Sequence, residues 1–489
     1  MNYGYWILAR ALLPEMTLVA GALLVLAYDL IRGRQHTPAE RRSAALWIGA
    51  TALVAALYDS ISVGRLGPVY GGTLVIDQLA LASRTGVLGL TLLTLGVTAG
   101  TKPARHPAEY VAIILFATTG FTLMAAANNL LVAFVALELA SLSLYILAGF
   151  AKDRPESAEA ALKYFLFGGM AAAFLLFGFS LIYGATGELD LARVSFALIH
   201  GTMTPLLALA LVMVLVAFGF KAAAAPFHLW APDAYEGAPT PSAALIASAS
   251  KLAGFTLFFR LFWSGLGALA GDLTVTGNAG GWMTLLALLS GASLLLGNFA
   301  ALAQSNVRRL LAYSAIAHAG VMLLGVIGAE IAGPGPLFYY LATYGVATAG
   351  AFGVIAVLEA NGGCQHITDL AGLHRRSPLL AGSLVVFILS LAGIPPLAGF
   401  FGKFAVFAAA LKISGVAGPA GWLTLLAIAL SAVALYYYLI VLKQALVAEP
   451  TPEKSGRIRV PTATAFTLVV TAALLVLLGV FPSLVLGLF

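Results

Sequence analysis

Runs of about 20 consecutive apolar residues, the length that crosses a hydrocarbon core as a helix, recur along the whole chain. Short stretches of charged, Gly and Pro residues separate them. The runs lie at 14–31, 44–63, 77–99, 109–127, 129–150, 161–186, 205–228, 240–265, 282–302, 310–329, 337–359, 378–411, 419–442 and 461–487, and are called spans 1 to 14 in that order. No loop between them exceeds about 20 residues, so no extramembrane domain able to hold a nucleotide, flavin or haem is expected. The pattern predicts an all-α polytopic membrane protein with about 14 transmembrane helices.

Composition narrows the function classes. Of 489 residues, 61% are hydrophobic and 9% charged, against about 25% charged in an ordinary soluble domain, which excludes a soluble enzyme. The lone cysteine, Cys364, rules out an intramolecular disulfide, an iron–sulfur cluster and a Cys-based zinc site. Electron carriers are therefore expected in other chains. His366 beside Cys364 lacks the further partners a metal site needs, so no metal site is predicted.

The loop cations report orientation. Loops after odd-numbered spans carry Arg32, Arg34, Arg41, Arg42, Lys102, Arg105, Lys152, Arg154, Arg308, Arg309, Arg375, Arg376, Lys443, Lys454, Arg457 and Arg459. Loops after even-numbered spans and the N-terminus carry Arg10, Arg65, Arg193 and Lys412. This 16-to-4 split places the odd loops in the cytoplasm and both termini on the opposite side. The heavier basic block follows the first apolar run instead of preceding it, so that run is expected to stay as a span and not to be cleaved as a signal peptide. No basic face outside the membrane is long enough for nucleic acid.

Six cations remain inside spans. Arg84, seven residues after Asp77 on the same helix face, is expected to pair with it or to snorkel, and Lys163 and Arg260 near span ends read as structural too. Lys221, Lys251 and Lys403 lie deeper, and Glu138 is the only charge in "LLVAFVALELASLSLYIL". A charge at mid-depth costs at least about 2.5–3.5 kcal/mol on insertion scales, and such groups usually mark an ion path. In a purely structural arrangement, three lysines facing one glutamate would leave two buried cations unpaired. Burial weakens a lysine's hold on its proton and an approaching carboxylate strengthens it, so a movable Glu–Lys contact is a proton switch. His318, with Ser314 four residues before it, fits a relay or a satisfied core histidine equally. His228 follows Lys221 by a heptad, but Pro226 between them spoils helical phase, which leaves it at most a group at the intake of a path.

Pro226 in span 7 and Pro395–Pro396 in span 12 each free backbone carbonyls at membrane depth, tolerated only where protein or water satisfies them. These breaks lie five spans apart, as do Glu138 and His318. A repeat of five crossings must be inverted relative to its first copy, and paired broken spans point to an inverted-repeat transport site. The expected division is 1–108 (spans 1–3), 109–265 (spans 4–8), 282–442 (spans 9–13) and 461–489 (span 14), with two inverted five-helix repeats each containing a broken helix.

The stretches "FKAAAAPFHLWAPDAYEGAPTPSAALIASASK", "QSNVRRLLAYSAIAHAG" and "SLAGIPPLAGFFGKF" resemble the antiporter-like proton-channel family shared by respiratory complex I and multisubunit cation/proton antiporters. Within it, "HLWAPDAYEGAPTP", "AGIPPLAGFFGKF" and the length look like the subunit N branch. The L-type branch is longer, and the M-type branch usually carries glutamate where Lys403 stands here. The resemblance implies that Glu138 and Lys221 form a coupling pair, Lys251 is the central proton carrier, His318 bridges two half-channels and Lys403 is the exit-side group. It also implies a bacterial inner-membrane subunit of a proton-pumping NADH–quinone oxidoreductase that binds no cofactor itself. FMN, iron–sulfur clusters and quinone would sit in partner subunits, and its neighbours would be lipid and other membrane-arm subunits, antiporter-like ones included. Two other readings share these residues: a subunit of a sodium/proton antiporter, and a scaffold whose buried charges only fix helix packing.

Overall fold

The computed structural model describes residues 2–101, 105–201, 203–273, 280–450 and 456–489. Lys102 and Lys454 lie outside the described residues, as does the side chain of Arg34. Among the described residues, 13 helices are long and apolar enough to cross a membrane. The remaining span is built from two shorter pieces, Pro378–Ala392 and Ala398–Ser414, which together make the fourteenth crossing.

Side-chain caps and prolines set the span boundaries. Thr37 and Glu40 form a capping box at the start of span 2 (Pro38–Val63), and Asp77 accepts from the Ala80 N–H, 2.8 Å, at the start of span 3 (Gln78–Thr98). Asn129 caps span 5 (Leu130–Ala148) through the Leu131 N–H at 2.9 Å. Asn306 caps span 10 (Val307–Ala332) in the same way through the Arg308 N–H at 2.9 Å. Each supplies an acceptor for N–H groups that the first helical turn leaves open.

Two glycines let spans approach at backbone distance. A Cβ on Gly120 would stand 2.6 Å from the Ala140 nitrogen in span 5, and one on Gly297 would stand 2.5 Å from the Ala317 nitrogen in span 10. Small residues at such crossings are how apolar helices pack in lipid, where no hydrophobic drive separates helix from solvent. The two crossings, five spans apart, fix the helices that carry Glu138 and His318.

Burial locates the centre. In the most apolar stretch of spans 8 (Thr240–Gly265), 10 and 11 (Gly335–Ala360), 94% of residues are buried, against 33% in spans 1 (Leu13–Arg32), 2 and 6 (Pro155–Thr186). Spans 8, 10 and 11 therefore form the middle of the bundle, shielded from lipid by the others.

Several local features escape the apolar pattern. A helix at Asn2–Ala11 precedes span 1, an antiparallel hairpin pairs Gly67–Val69 with Leu74–Ile76, and a short helix, Leu191–Ile199, follows span 6. Span 7 stops at Ala222, short of the expected residue 228, because Ala223 turns left-handed at φ 56°. The chain then re-forms a helix at Trp230–Gly237. Span 8 is itself interrupted at Ser248, with φ −112° and ψ −86°, and ends in a wide turn at Arg260–Gly265.

One expected ion pair is replaced. Arg84 does not pair with Asp77; its guanidinium lies 2.9 Å from Glu15 in span 1, and Asp77 pairs with Arg260. Seven residues are about 10 Å of helix rise, too far for contact between Asp77 and Arg84 without a bend. Arg260 also donates to the Ala125 carbonyl at 2.8 Å, which ties span 8 to the end of span 4 (Pro107–Ala126). Lys163 is structural as expected, 2.6 Å from both Glu159 and Asp233.

Removing one partner of a buried ion pair strands the other, at a cost of about 3–5 kcal/mol. Glu15→Ala is expected to lower the thermal denaturation midpoint of the detergent-solubilised protein and its level in membranes. The double variant Glu15→Leu/Arg84→Met should recover most of the loss.

Candidate functional site

The five ionisable groups singled out in the sequence come together as a line through the middle of the bundle. Lys221 stands in the last turn of span 7 (Pro205–Ala222), beside the left-handed Ala223. The aligned peptide dipoles make this helix end electronegative, which favours a cation. Its ammonium donates to Ser141 Oγ at 3.2 Å. Ser141 lies one turn beyond Glu138 on span 5. Glu138 is half-buried, and its Oε1 has no hydrogen-bond partner among the described residues. The carboxylate and Lys221 are near enough to interact electrostatically, yet among the described residues no ion pair within 4.0 Å joins them. A swing of the lysine from Ser141 to Glu138 would close the pair.

The Lys221 stem crosses span 8 at Gly254, where a Cβ would meet Lys221 Cγ at 3.3 Å. A cavity of about 10 Å³ lies between Lys221 and Lys251, walled by Phe218, Phe255 and Phe258, about the size that holds one water. Lys251 is 4% exposed, donates to the Ala315 carbonyl at 2.6 Å, and stands 5.5 Å from the centre of the Tyr344 ring. Ala315 is on span 10, three residues before His318.

His318 is held by two tyrosines. Its Nδ1 meets Tyr340 Oη at 2.6 Å and its Nε2 meets Tyr438 Oη at 3.1 Å, while Tyr438 also hydrogen-bonds Ser314. A neutral imidazole donates from one nitrogen and accepts at the other, so the tautomer sets which tyrosine donates. Beyond the ring a cavity of about 20 Å³ is bordered by His318, Asn298, Ser431, Tyr437 and Lys403. Lys403 donates at 3.0 Å to the carbonyl of Ala392, the last residue of the first half of span 12. Gly393 is left-handed there, φ 86°, and the Lys403 side chain fills the space its Cβ would take. Lys221 and Lys403 thus both sit at the carbonyl ends of interrupted helices.

The tyrosines were not identifiable from the sequence, because a tyrosine in an apolar run also suits the membrane interface or the core. The repeated "YY" wording in spans 11 and 13 (Pro419–Leu446) is the signal that would have found them. Their hydroxyls are buried at depth and must find partners. His228 lies in the turn after span 7, buried, with Nδ1 lacking a partner among the described residues, and it borders neither cavity. Among the described residues no group of three or more His, Cys, Asp or Glu side chains is placed to hold a metal.

Comparison with known proteins bears on the family and the fold. The family described as "NADH:quinone oxidoreductase/Mrp antiporter, TM" matches residues 127–432. The chain is 47% identical to NADH-quinone oxidoreductase subunit N 2 of Acidobacterium capsulatum, over 98% of each chain. It belongs to the NADH-quinone oxidoreductase subunit N family. Subunit N 1 of Solibacter usitatus is 37% identical, over 98% of this chain and 96% of that one. Among solved structures, a chain of respiratory complex I from Thermus thermophilus with bound aureothin superposes with a TM-score of 0.79 at 35% identity, covering 97% of this chain and 98% of that one. A chain of the Mrp complex from Dietzia superposes at 0.81 with 22% identity, over 98% of this chain and 96% of that one, and shares the fold.

Removing the Tyr438 hydroxyl leaves His318 Nε2 and Ser314 short of a partner, and each buried orphan costs about 1–3 kcal/mol. Tyr438→Phe is expected to lower thermal stability measurably. Combined with Ser314→Ala it should cost less than the sum of the two single changes. Strict additivity would show that the three side chains are not one network.

Proposed function

We propose that this chain is a proton-translocating membrane subunit of a bacterial NADH–quinone oxidoreductase, and that protons cross it through Glu138, Lys221, Lys251, His318 and Lys403. The observation that carries the reading is the unbroken succession of these groups. Lys221 rests on Ser141 one turn from Glu138, a water-sized cavity leads to Lys251, the Ala315 turn leads to His318, and a second cavity leads to Lys403. Four charged groups at membrane depth carry a heavy insertion cost that packing alone does not explain.

In this reading a signal from the partner subunits draws Lys221 between Ser141 and Glu138. With Glu138 close, Lys221 keeps its proton; with Glu138 withdrawn, it gives the proton up toward Lys251. His318 passes the proton between its two nitrogens, and Lys403 releases it. FMN, iron–sulfur clusters and quinone are assigned to partner subunits, a reading supported by the relatives named subunit N and by a single cysteine that cannot hold a cluster. Other membrane-arm subunits, antiporter-like ones among them, are its neighbours.

Residues 109–265 and 282–442 act as the two inverted repeats. Supporting this division are the paired features five spans apart: the caps Asn129 and Asn306, the crossings at Gly120 and Gly297, and the left-handed ends Ala223 and Gly393. The basic loops face the cytoplasm and both termini the opposite side. A sodium/proton antiporter subunit is the alternative, and the full-length relatives named subunit N favour the oxidoreductase.

Lys251→Met keeps the bulk and removes the charge. In the assembled complex it should leave the subunits together and cut proton translocation sharply, measured by acidification of inverted membrane vesicles on NADH addition. Undiminished pumping with normal electron transfer would end the proton-carrier reading and favour a scaffold.

A further inference from the structure

On the side of the basic loops, the ends of spans 2, 3, 4, 6, 8, 10 and 11 wall a cleft of about 890 Å³, within the range of about 300–1,000 Å³ that small-molecule sites occupy. The two kinds of helix end at this cleft differ. Spans 3, 5 and 11 arrive with their carbonyl ends, and side chains close all three. Arg42 donates to the Thr98 carbonyl at 2.9 Å and to that of Ala99, Ser157 Oγ to that of Ala148 at 2.7 Å, and Asn361 Nδ2 to that of Val357 at 2.9 Å. Spans 4, 6 and 8 start here with their N–H ends. Their cap positions, His106, Arg154 and Pro239, supply no side-chain hydrogen bond to the first turn. Filled acceptors beside open donors make an electropositive recess, the arrangement in which helix N-termini bind anions.

The side chains strengthen this field. Among the described residues five cations line the cleft, Arg42, Arg105, Lys152, Arg154 and Arg308, against three acids. Glu156 lies 4.0 Å from Arg154, Glu359 accepts from Thr240 and stands 3.4 Å from Arg308, and Asp153 is the third. Arg308 is the residue that points to a ligand. It is 2% exposed, yet its Nε has no hydrogen-bond partner among the described residues. Its contact with Glu359 is made through Nη1 alone, and Arg154 is near enough to interact with it electrostatically as a like charge. A buried guanidinium N–H left open beside a second guanidinium calls for an anion.

We propose that this cleft binds a phosphate group, held by the guanidiniums of Arg308 and Arg154, the ammonium of Lys152 and the open N–H ends of spans 4, 6 and 8. The arginine forks match phosphate oxygens in pairs, the lysine adds a point charge at the rim, and the helix ends donate to the oxygens that remain. A phosphorylated solute and the headgroup of an anionic lipid share this chemistry. The ring of seven spans favours the solute, which enters from the aqueous side, whereas a headgroup has to pass between helix ends. The site is separate from the line of lysines: none of Glu138, Lys221, Lys251, His318 and Lys403 borders the cleft.

The test titrates the full chain, purified in mild detergent, with sodium pyrophosphate and follows binding by calorimetry and by the thermal denaturation midpoint. Sodium chloride at matched ionic strength is the control. Pyrophosphate is expected to bind and to raise the midpoint; chloride should do neither. Arg308→Lys keeps a charge beside Glu359 and removes the fork, and should weaken binding about tenfold. Lys152→Gln/Arg154→Gln alters the loop before span 6, should weaken binding at least as much, and decides the matter if Arg308→Lys does not fold. A parallel arm places the chain in nanodiscs of phosphatidylglycerol or phosphatidylcholine and counts retained lipid by native mass spectrometry. Pyrophosphate binding that the double variant loses supports the site and assigns it to a soluble anion. Phosphatidylglycerol retention that the double variant loses, without pyrophosphate binding, supports the site and assigns it to a headgroup. Failure of both probes to bind, or binding that the double variant leaves unchanged, overturns the proposal.

Discussion

A lysine held at the open end of an interrupted helix is the contact on which the rest of the arrangement depends. In hydrocarbon, neither an ammonium nor a free backbone carbonyl can be left unsatisfied. Lys403 meets both demands at once by donating to the Ala392 carbonyl where span 12 stops. Lys221 stands in the equivalent last turn of span 7, at the electronegative end. The left-handed residues Ala223 and Gly393 create these ends, so the positions of the buried charges are decided by backbone geometry before any side-chain pairing.

Under the proposed function, that geometry also leaves the charges exchangeable. The deepest, Lys251, donates to a backbone carbonyl and not to a carboxylate, and Lys221 rests on a serine with Glu138 one turn away. A tight buried ion pair would hold its proton firmly. Neutral partners leave the ammonium free to respond when a carboxylate approaches or withdraws. The pairs that are tight, Arg84–Glu15 and Arg260–Asp77, use arginine, which does not give up its proton, and they clamp spans off the line of lysines. In the proposed reading the chain separates fixed charge that builds the bundle from movable charge that works inside it.

Much of this was legible in the sequence. The span count follows from apolar run length, and Glu138, Lys221, Lys251 and Lys403 are conspicuous because each stands in a stretch that punishes charge. The break near Pro395–Pro396 was signalled by residues that cannot continue a helix. The left-handed turn at Ala223 and the interruption at Ser248 were not, since alanine and serine are ordinary helix residues and only tertiary packing forces them out of line. The partner of Arg84 was misjudged for a similar reason: spacing on one helix says nothing of Glu15 on another, and Asp77 was already engaged in capping span 3. The tyrosine clamp on His318 stayed hidden because hydroxyls at membrane depth look apolar in a hydropathy pattern until their partners are placed.

The central claim is that Glu138 governs what Lys221 does with its proton. The most direct measurement is the number of protons moved per NADH oxidised by the assembled complex carrying Glu138→Gln, which keeps the shape of the side chain and removes its charge. A movable pair predicts a lower ratio with assembly intact and electron transfer still running. An unchanged ratio, or a complex that fails to assemble, would contradict it and leave Glu138 as a packing residue.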